Sequence, residues 1–213
     1  MAAKRNRKNW LKQHLRDPFV KQSVAQGYRS RACFKLIELH DKYQLFKPGM
    51  RVIDLGAAPG GWSQVVAPLI QPHGQLIAVD KLTMAPIPDV QILEGDIYDP
   101  EIDAAMLALL GEQRVHWVLS DMAPNLTGHW DIDQPRVMGL AEWSLSFAQT
   151  LLQPGGGLLI KLFHGQGVEA YIKLVRSHFQ KVALKKPQAS RAPSREVYLL
   201  AQGYGLTKKI SKR

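Results

Sequence analysis

The sequence has 213 residues, of which 46% are hydrophobic and 22% charged, an ordinary composition for one soluble domain with a substantial core. No apolar run approaches the roughly 18 residues that a membrane span needs, and the basic N-terminus lacks the apolar stretch of a signal peptide, so we expect a cytoplasmic protein. The single cysteine, Cys33, excludes an internal disulfide and a cysteine metal cluster.

The net charge of +10 is concentrated at the N-terminus. Residues 1–31 contain nine basic side chains and one acidic side chain, a net charge of +8, which leaves +2 for the other 182 residues. Such a segment is typical of proteins that bind a phosphate backbone, and its aromatic residues Trp10, Phe19 and Tyr28 could stack on bases. A solvated tail that only maintains solubility is the alternative. The predicted organisation is a basic RNA-contacting arm over 1–28, a domain over 29–205 and a basic tail over 206–213.

Strand and helix patterns alternate along the domain. A helix begins near Ser30 and ends before Lys47, because apolar residues recur at helical spacing between them. The predicted strands are 51–55, 75–80, 90–93, 115–120, 157–163, 182–185 and 196–201. The predicted helices between them are 61–70, 101–111, 134–152 and 168–179. This alternation predicts an α/β fold with a doubly wound, mostly parallel sheet, and the short link before the last strand allows that strand to run antiparallel.

The segment from Val52 to Val66 runs from an apolar strand through a glycine-bearing turn into a helix. This arrangement brings the backbone close to a nucleoside ligand at the carboxyl edge of a sheet. The turn lacks the G-x-G-x-x-G pattern of a dinucleotide loop, which disfavours a nicotinamide-dependent dehydrogenase although Asp80 has the spacing that such an enzyme needs. Asp54, ahead of the turn, would repel a phosphate and suits a cation or an amine, and S-adenosylmethionine carries both.

Five segments of the chain resemble the FtsJ-like family of S-adenosylmethionine-dependent RNA 2'-O-methyltransferases. They are Ser30–Leu36 (SRACFKL), Asp54–Trp62 (DLGAAPGGW), Ser120–Asn125 (SDMAPN), Leu158–Phe163 (LLIKLF) and Ser190–Tyr198 (SRAPSREVY). The resemblance covers nearly everything after residue 28. It implies a Rossmann-like methyltransferase fold with a seven-stranded sheet whose last strand is reversed.

Three acidic residues, Asp54, Asp80 and Asp96, follow successive strands where ligands bind in open α/β sheets. One such residue alone could cap a turn or a helix, but three in succession favour a nucleoside site. An acid at the end of the second strand can accept both ribose hydroxyls, which is the predicted role of Asp80. The resemblance implies that Asp96 lies by the adenine and that Gly60 and Trp62 contact the cofactor. The predicted cofactor contacts are Asp54, Gly56, Gly60, Trp62, Asp80, Asp96 and Asp121.

Four polar residues stand where a buried sheet edge would ordinarily carry apolar side chains. They are Lys35, Asp121, Lys161 and Glu196. Lys161 follows the apolar run Leu158–Ile160, so its amine is expected at the carboxyl edge, where it could take the proton of a ribose hydroxyl that attacks the methyl group. Glu196, considered alone, could instead form an ion pair with Arg191 or Arg195 at the protein surface.

The four residues match the catalytic tetrad of the resembled family in order and context. The resemblance implies that Lys161 is the central base, that Asp121 is nearly as important, and that Lys35 and Glu196 position the hydroxyl. Asp121 also opens a segment similar to the loops of amino-group methyltransferases, but Asn125 stands where those loops carry an aromatic residue, so ribose oxygen is the favoured target. The seven histidines show no metal-ligand spacing, and a sulfonium donor leaves as a neutral group that needs no Lewis acid, so no metal is expected.

The basic arm, with Arg191 and Arg195 beside Glu196, indicates an RNA substrate. The predicted RNA contacts are Lys4, Arg5, Arg7, Lys8, Lys12, Arg29, Arg31, Arg191 and Arg195. The compact chain resembles the bacterial enzymes that methylate a uridine ribose in the A-loop of 23S rRNA within the large ribosomal subunit. Transfer-RNA and messenger-cap enzymes share the tetrad, and an inactive fold that serves as a ribosome assembly factor is a further alternative. We expect a monomer with no membrane contact.

Overall fold

The computed structural model describes residues 17–191 and 194–206. Seven strands in these ranges form one sheet in the order β3-β2-β1-β4-β5-β7-β6. The strands are β1 (Arg51–Leu55), β2 (Gln75–Asp80), β3 (Val90–Glu94), β4 (Val115–Ser120), β5 (Leu152–Phe163), β6 (Phe179–Lys185) and β7 (Glu196–Tyr204). Six run in one direction, and β7 is antiparallel to both of its neighbours, β5 and β6. The predicted doubly wound sheet with a reversed last strand is confirmed.

Six helices lie in the described ranges. They are α1 (Pro18–Ala25), α2 (Cys33–Tyr43), α3 (Gly61–Ile70), α4 (Pro100–Leu110), α5 (Trp130–Leu151) and α6 (Val168–His178). The five helices expected from hydrophobic periodicity are present. The α1 helix was not predicted and lies within the predicted arm. Pro18 occupies its first turn, and the Asp17 carboxylate caps it by accepting from the Phe19 amide at 3.0 Å.

Strand alternation distributes the core over the two faces of the sheet. Ile53 of β1 and Val118 of β4 are paired in register and face the cluster that includes α4, α5 and α6, whereas Val52 and Trp117 face the cluster that includes α2 and α3. Both faces are therefore covered by helices, as a mostly parallel sheet requires.

The predicted start of the fifth strand was five residues too late. The segment Pro154-Gly-Gly-Gly157 has the composition of a turn, but the strand begins at Leu152, which pairs with Val115 of β4. The register shifts between Val115 and Trp117, so an irregularity in the ladder accommodates this segment.

The fold brings the ends of five strands to one edge. The carboxyl ends of β1, β2, β4 and β5 meet there because these strands are parallel. The amino end of β7 lies at the same edge because this strand is antiparallel and its Glu196 pairs with Phe163. Polar side chains at these strand ends are consequently neighbours in space.

Candidate active site

An open cavity of about 710 Å³ lies at this edge of the sheet. Of the predicted cofactor contacts, Gly56, Asp80, Asp96 and Asp121 line it. The remaining lining residues, which the sequence patterns did not single out for this cavity, are Ala58, Lys81, Leu82, Gly95, Ile97, Tyr98, Met122, Ala123, Pro124, Asn125, Arg136, Gly139 and Leu140. Three carboxylates, two basic side chains and several apolar side chains thus share the wall.

The backbone fixes two of these carboxylates. Asp80 accepts from the amide of Ala58 through Oδ2 and from the amide of Leu82 through Oδ1, each at 2.9 Å. Asp96 accepts from the Tyr98 amide at 3.1 Å through Oδ1. Both side chains are therefore held at strand ends before any ligand arrives, which is the preorganisation that a specific polar contact needs.

Gly56 opens the turn after β1 with a φ of +70°, a conformation that side chains other than glycine rarely adopt. A Cβ at this position would lie 2.1 Å from Cγ of Met122 in the loop after β4. The two loops can approach this closely only because residue 56 has no side chain.

Three of the predicted cofactor contacts lie behind the cavity wall. Asp54 is only 1% exposed and accepts from the hydroxyl of Ser63 at 2.7 Å. Trp62 is 3% exposed, and its indole donates to the Ala32 carbonyl at 3.0 Å. Gly60 faces Arg29 and the side chains that follow β2. Asp54, Gly60 and Trp62 therefore support the turn between β1 and α3 and do not line the cavity.

Burial raises the pKa of Asp54 to about 7, an effect that the hydrogen bond from Ser63 only partly offsets and that the charges of Asp121 and Asp80 reinforce. Because the unfolded value is near 3.9, the folded protein binds more protons than the unfolded chain between about pH 4 and pH 7. This carboxyl therefore lowers the free energy of unfolding as the pH rises through that window.

We expect Asp54→Asn, which keeps the shape without the charge, to flatten this pH dependence. Relative to the variant, the free energy of unfolding of the wild-type protein should fall by up to roughly 1.4 kcal/mol per pH unit between pH 4 and pH 7. Above pH 7 the difference should stay constant. Urea unfolding at several pH values measures the difference. Asp41→Asn, a change at an exposed carboxylate, serves as the control. A difference between Asp54→Asn and wild type that stays constant through that window as well would contradict the prediction.

The four predicted catalytic residues meet beside the cavity. Lys35 of α2 forms an ion pair with Glu196 at 2.7 Å between Nζ and Oε1. Lys161 of β5 lies 3.1 Å from Asp121, again measured from Nζ to the carboxylate, and it also donates to the Asp121 backbone carbonyl. Glu196 pairs with Lys35 and not with Arg191 or Arg195, so the alternative of a surface pair for Glu196 is wrong.

Tyr198 joins the two ion pairs, and sequence reasoning did not assign it a role. Its hydroxyl accepts from Lys35 Nζ at 3.0 Å and donates to Asp121 Oδ1 at 2.6 Å. The residue is fully buried and packs against Trp62, with ring centroids 5.7 Å apart. A strand puts residues i and i+2 on one face, so the position of Tyr198 two residues after Glu196 was the available signal.

The charges of this group hold Asp121 ionised. Burial alone would raise its pKa, but Lys161, Lys35 and the hydrogen bond from Tyr198 outweigh that effect and lower the pKa below its usual value. Burial and the neighbouring carboxylates of Asp121 and Glu196 raise the pKa of Tyr198 well above its usual value, so the phenol keeps its proton. A carboxylate that contacts a lysine amine can orient that amine and stabilise a positive charge on it.

The predicted RNA contacts fall into three groups. Lys4, Arg5, Arg7, Lys8 and Lys12 lie outside the described residues. Arg29 donates to the carbonyls of Pro59, Ala85 and Pro86 at 2.6 to 3.2 Å, and Arg31 pairs with Asp17. Arg191 and Arg195 are exposed, with Arg191 Nε 3.5 Å from Asp17 Oδ2.

Residues 17–191 and 194–206 contain no cluster of three His, Cys, Asp or Glu side chains that could hold a metal ion. No helix in this part of the chain is long and apolar enough to cross a membrane.

The family model described as FtsJ-like methyltransferase matches residues 28–204. Two proteins named ribosomal RNA large subunit methyltransferase E are similar over nearly their full lengths. The one from Alcanivorax borkumensis is 52% identical over 199 residues, 93% of this chain and 95% of that protein. The one from Legionella pneumophila is 45% identical over 206 residues, 97% of this chain and 100% of that protein.

A solved structure from Plasmodium falciparum, assigned as a ribosomal RNA methyltransferase, superposes with a TM-score of 0.74 at 29% identity. The match covers 83% of this chain and 98% of that one. A Clostridium thermocellum structure has a TM-score of 0.53 at 16% identity, a similarity of fold alone.

Proposed function

The chain belongs to the FtsJ-like methyltransferase family, and from that premise we propose that it methylates a ribose 2'-hydroxyl of large-subunit ribosomal RNA with S-adenosylmethionine as the donor. The proposed target is a uridine in the A-loop of 23S rRNA within the large subunit. The contact between Lys161 and Asp121 beside the acid-lined cavity carries the proposal, because it joins a group that can accept a proton to a carboxylate that orients it.

The cavity fits S-adenosylmethionine by the chemistry of its wall. Asp80 would accept the ribose hydroxyls, and Leu82 and Ile97 would contact the adenine beside Asp96. The carboxylates of Asp80, Asp96 and Asp121 outnumber the two basic side chains in the lining, Lys81 and Arg136, and this balance favours a cationic ligand over a phosphate-bearing one. When bound, the cofactor supplies an electrophilic methyl group on a sulfonium. Transfer of that methyl group leaves a neutral thioether.

The chain's own residues then activate and position the RNA hydroxyl. Once the Lys161 ammonium has released a proton to solvent, its neutral amine accepts the hydroxyl proton as the oxygen attacks in line, and Asp121 stabilises the ammonium that forms again. Lys35 and Glu196 form the second ion pair, and Tyr198 links it to the first, so the geometry of one pair depends on the other.

Two observations support ribosomal RNA as the substrate. Relatives at 45% to 52% identity over nearly the whole chain are named ribosomal RNA large subunit methyltransferase E. The first 31 residues carry a net charge of +8, which suits a phosphate backbone.

Replacing the six basic residues of 1–16 by glutamine is expected to weaken RNA binding. The slope of log affinity against log salt should become shallower by about 0.7 for each single-stranded phosphate contact that is lost. The replacements stop before Asp17 because its carboxylate pairs with Arg31, and removing that pair would alter the domain. Titrations of ribosomal RNA from 50 to 300 mM salt measure the slope, and an unchanged slope would show that the segment makes no phosphate contact.

The function is tested by transfer of labelled methyl groups from S-adenosylmethionine to undermethylated large ribosomal subunits, with free ribosomal RNA and transfer RNA in parallel and nucleoside mapping of the product. We expect 2'-O-methyluridine in the large subunit. Label in transfer RNA would support the proposed reaction but contradict ribosomal RNA as the substrate. No label in any RNA, with cofactor binding demonstrated, would contradict the proposal and favour an assembly factor.

A further inference from the structure

A second cavity, of about 440 Å³, lies beside the catalytic group and has no part in the mechanism above. Arg195, one of its lining residues, directly precedes Glu196. Trp130, another, lies with its ring centroid 6.0 Å from that of Phe163, and Phe163 is paired in register with Glu196. A ligand in this cavity would therefore lie close to Glu196, one of the predicted catalytic residues.

The lining of this cavity includes a cation–π pair. The Arg195 guanidinium lies over the Trp130 ring, 4.7 Å from its centroid. Arg195 is exposed and Trp130 is half-buried, so the indole fixes the guanidinium while solvent still reaches it. Nucleobases stack on such aromatic and guanidinium planes, and every base has a face that can do so.

The wall of the cavity contains an unsatisfied polar atom. Gln134 is 7% exposed, and its Nε2 donates to the carbonyls of Gln166 at 2.9 Å and Phe163 at 3.5 Å. Two carbonyl acceptors fix which end of the amide is the NH₂ group. Oε1 is buried and has no donor among the described residues, and a Cβ at Gly165 would lie only 2.4 Å from it. Because Gln134 and Gly165 both line the cavity, a ligand that displaces Gly165 slightly could satisfy this acceptor with an N–H donor.

We propose that this cavity binds one unpaired nucleobase of the RNA next to the ribose that accepts the methyl group. The base stacks on the Arg195–Trp130 pair and turns an N–H edge, which all four bases possess, towards Gln134. Asp131 also lines the cavity and offsets the positive charge of Arg195, so the lining has no net positive charge to hold a phosphate, which favours a base over the backbone as the occupant. The proposal rests on the RNA substrate proposed above and adds where the enzyme reads a base.

The test compares the binding of pentauridylate with that of the matching five-residue abasic ribose phosphate, by anisotropy and without methyl donor. The wild-type protein is expected to prefer the uridine pentamer by roughly 10-fold, the scale of one stacked base. Trp130→Ala should reduce this preference to about 2-fold or less by the same principle, and Trp130→Phe should largely retain it. Arg195→Lys, which keeps the charge without the planar group, should also reduce it.

Tyr43→Ala is the matched control, because Tyr43 is a half-buried aromatic residue with Lys185 Nζ 4.7 Å from its ring centroid. It should keep the full preference. Equal discrimination by wild type and Trp130→Ala, or an equal loss in Tyr43→Ala, would overturn the proposal. If Trp130→Ala does not fold, the comparison of Arg195→Lys with wild type decides. Since no methyl transfer is measured, this result is separate from the labelling experiment, which alone tests the reaction.

Discussion

Replacing Lys161 by alanine is expected to lower the rate of methyl transfer by about 10² to 10⁴, the usual contribution of a positioned general base. Lys161 lies at the end of β5 with its amine against Asp121, and no other described lysine contacts that carboxylate directly. S-adenosylmethionine affinity should remain close to wild type because Lys161 does not line the 710 Å³ cavity. Single-turnover rates and calorimetric binding of the donor separate the two effects.

Lys181→Ala provides the control for this prediction. Lys181 is an exposed lysine on β6, so the change removes an equal charge at a distance from the catalytic group. Its rate should equal that of the wild type. Wild-type turnover in Lys161→Ala would rule out the assignment of Lys161 as the base, whereas a parallel loss of donor binding would show that the lysine supports the cofactor cavity.

The second large effect is expected for Asp121→Asn, which removes a charge and nearly preserves the shape of the side chain. Asp121 contacts Lys161 and accepts from Tyr198, and it also lines the cavity. Without the carboxylate, the charge that develops on Lys161 loses its partner, so the transfer rate should fall by roughly 10² to 10³. Donor affinity should fall as well, in contrast to Lys161→Ala.

Two variants define the specificity of that result. Asp41→Asn changes an exposed carboxylate on α2 and should have no effect on rate or donor affinity. Tyr198→Phe removes only the hydroxyl that bridges Lys35 and Asp121, so its loss should be smaller than that of Asp121→Asn. A rate for Asp121→Asn within twofold of wild type would contradict the role of the carboxylate.

The fold was predictable because its signals are local. Buried parallel strands such as β1 and β4 are short, largely apolar runs with a polar residue at or next to the last position, and their predicted bounds were confirmed at both ends. The β5 strand was placed less well, since a proline and three glycines within it indicate a turn and only pairing with β4 shows otherwise. The α1 helix was missed because its basic and aromatic residues were interpreted as an arm.

The candidate site was predictable as a set of residues but not as a geometry. Lys161 and Glu196 stood out because charged side chains are rare at buried strand ends. Tyr198 did not, because a tyrosine in an apolar strand is ordinary core composition until its hydroxyl has partners. Asp54 illustrates the opposite case: its position at the carboxyl end of β1 indicated a ligand contact, while the structure buries it against Ser63. The direction of a side chain at a strand end decides whether it reaches the site or is buried in the core. Amino-acid composition does not specify that direction.

The placement of β7 between β5 and β6 has a consequence for synthesis of the protein. Lys35 donates to a hydroxyl 163 positions further along the chain, and that hydroxyl belongs to the last strand of the sheet. A nascent polypeptide that has emerged only as far as β6 carries the cofactor loop, Asp121 and Lys161, but it lacks Glu196 and Tyr198. Under the proposed mechanism, chains that stop before β7 would therefore be inactive, and activity would require synthesis through Tyr198.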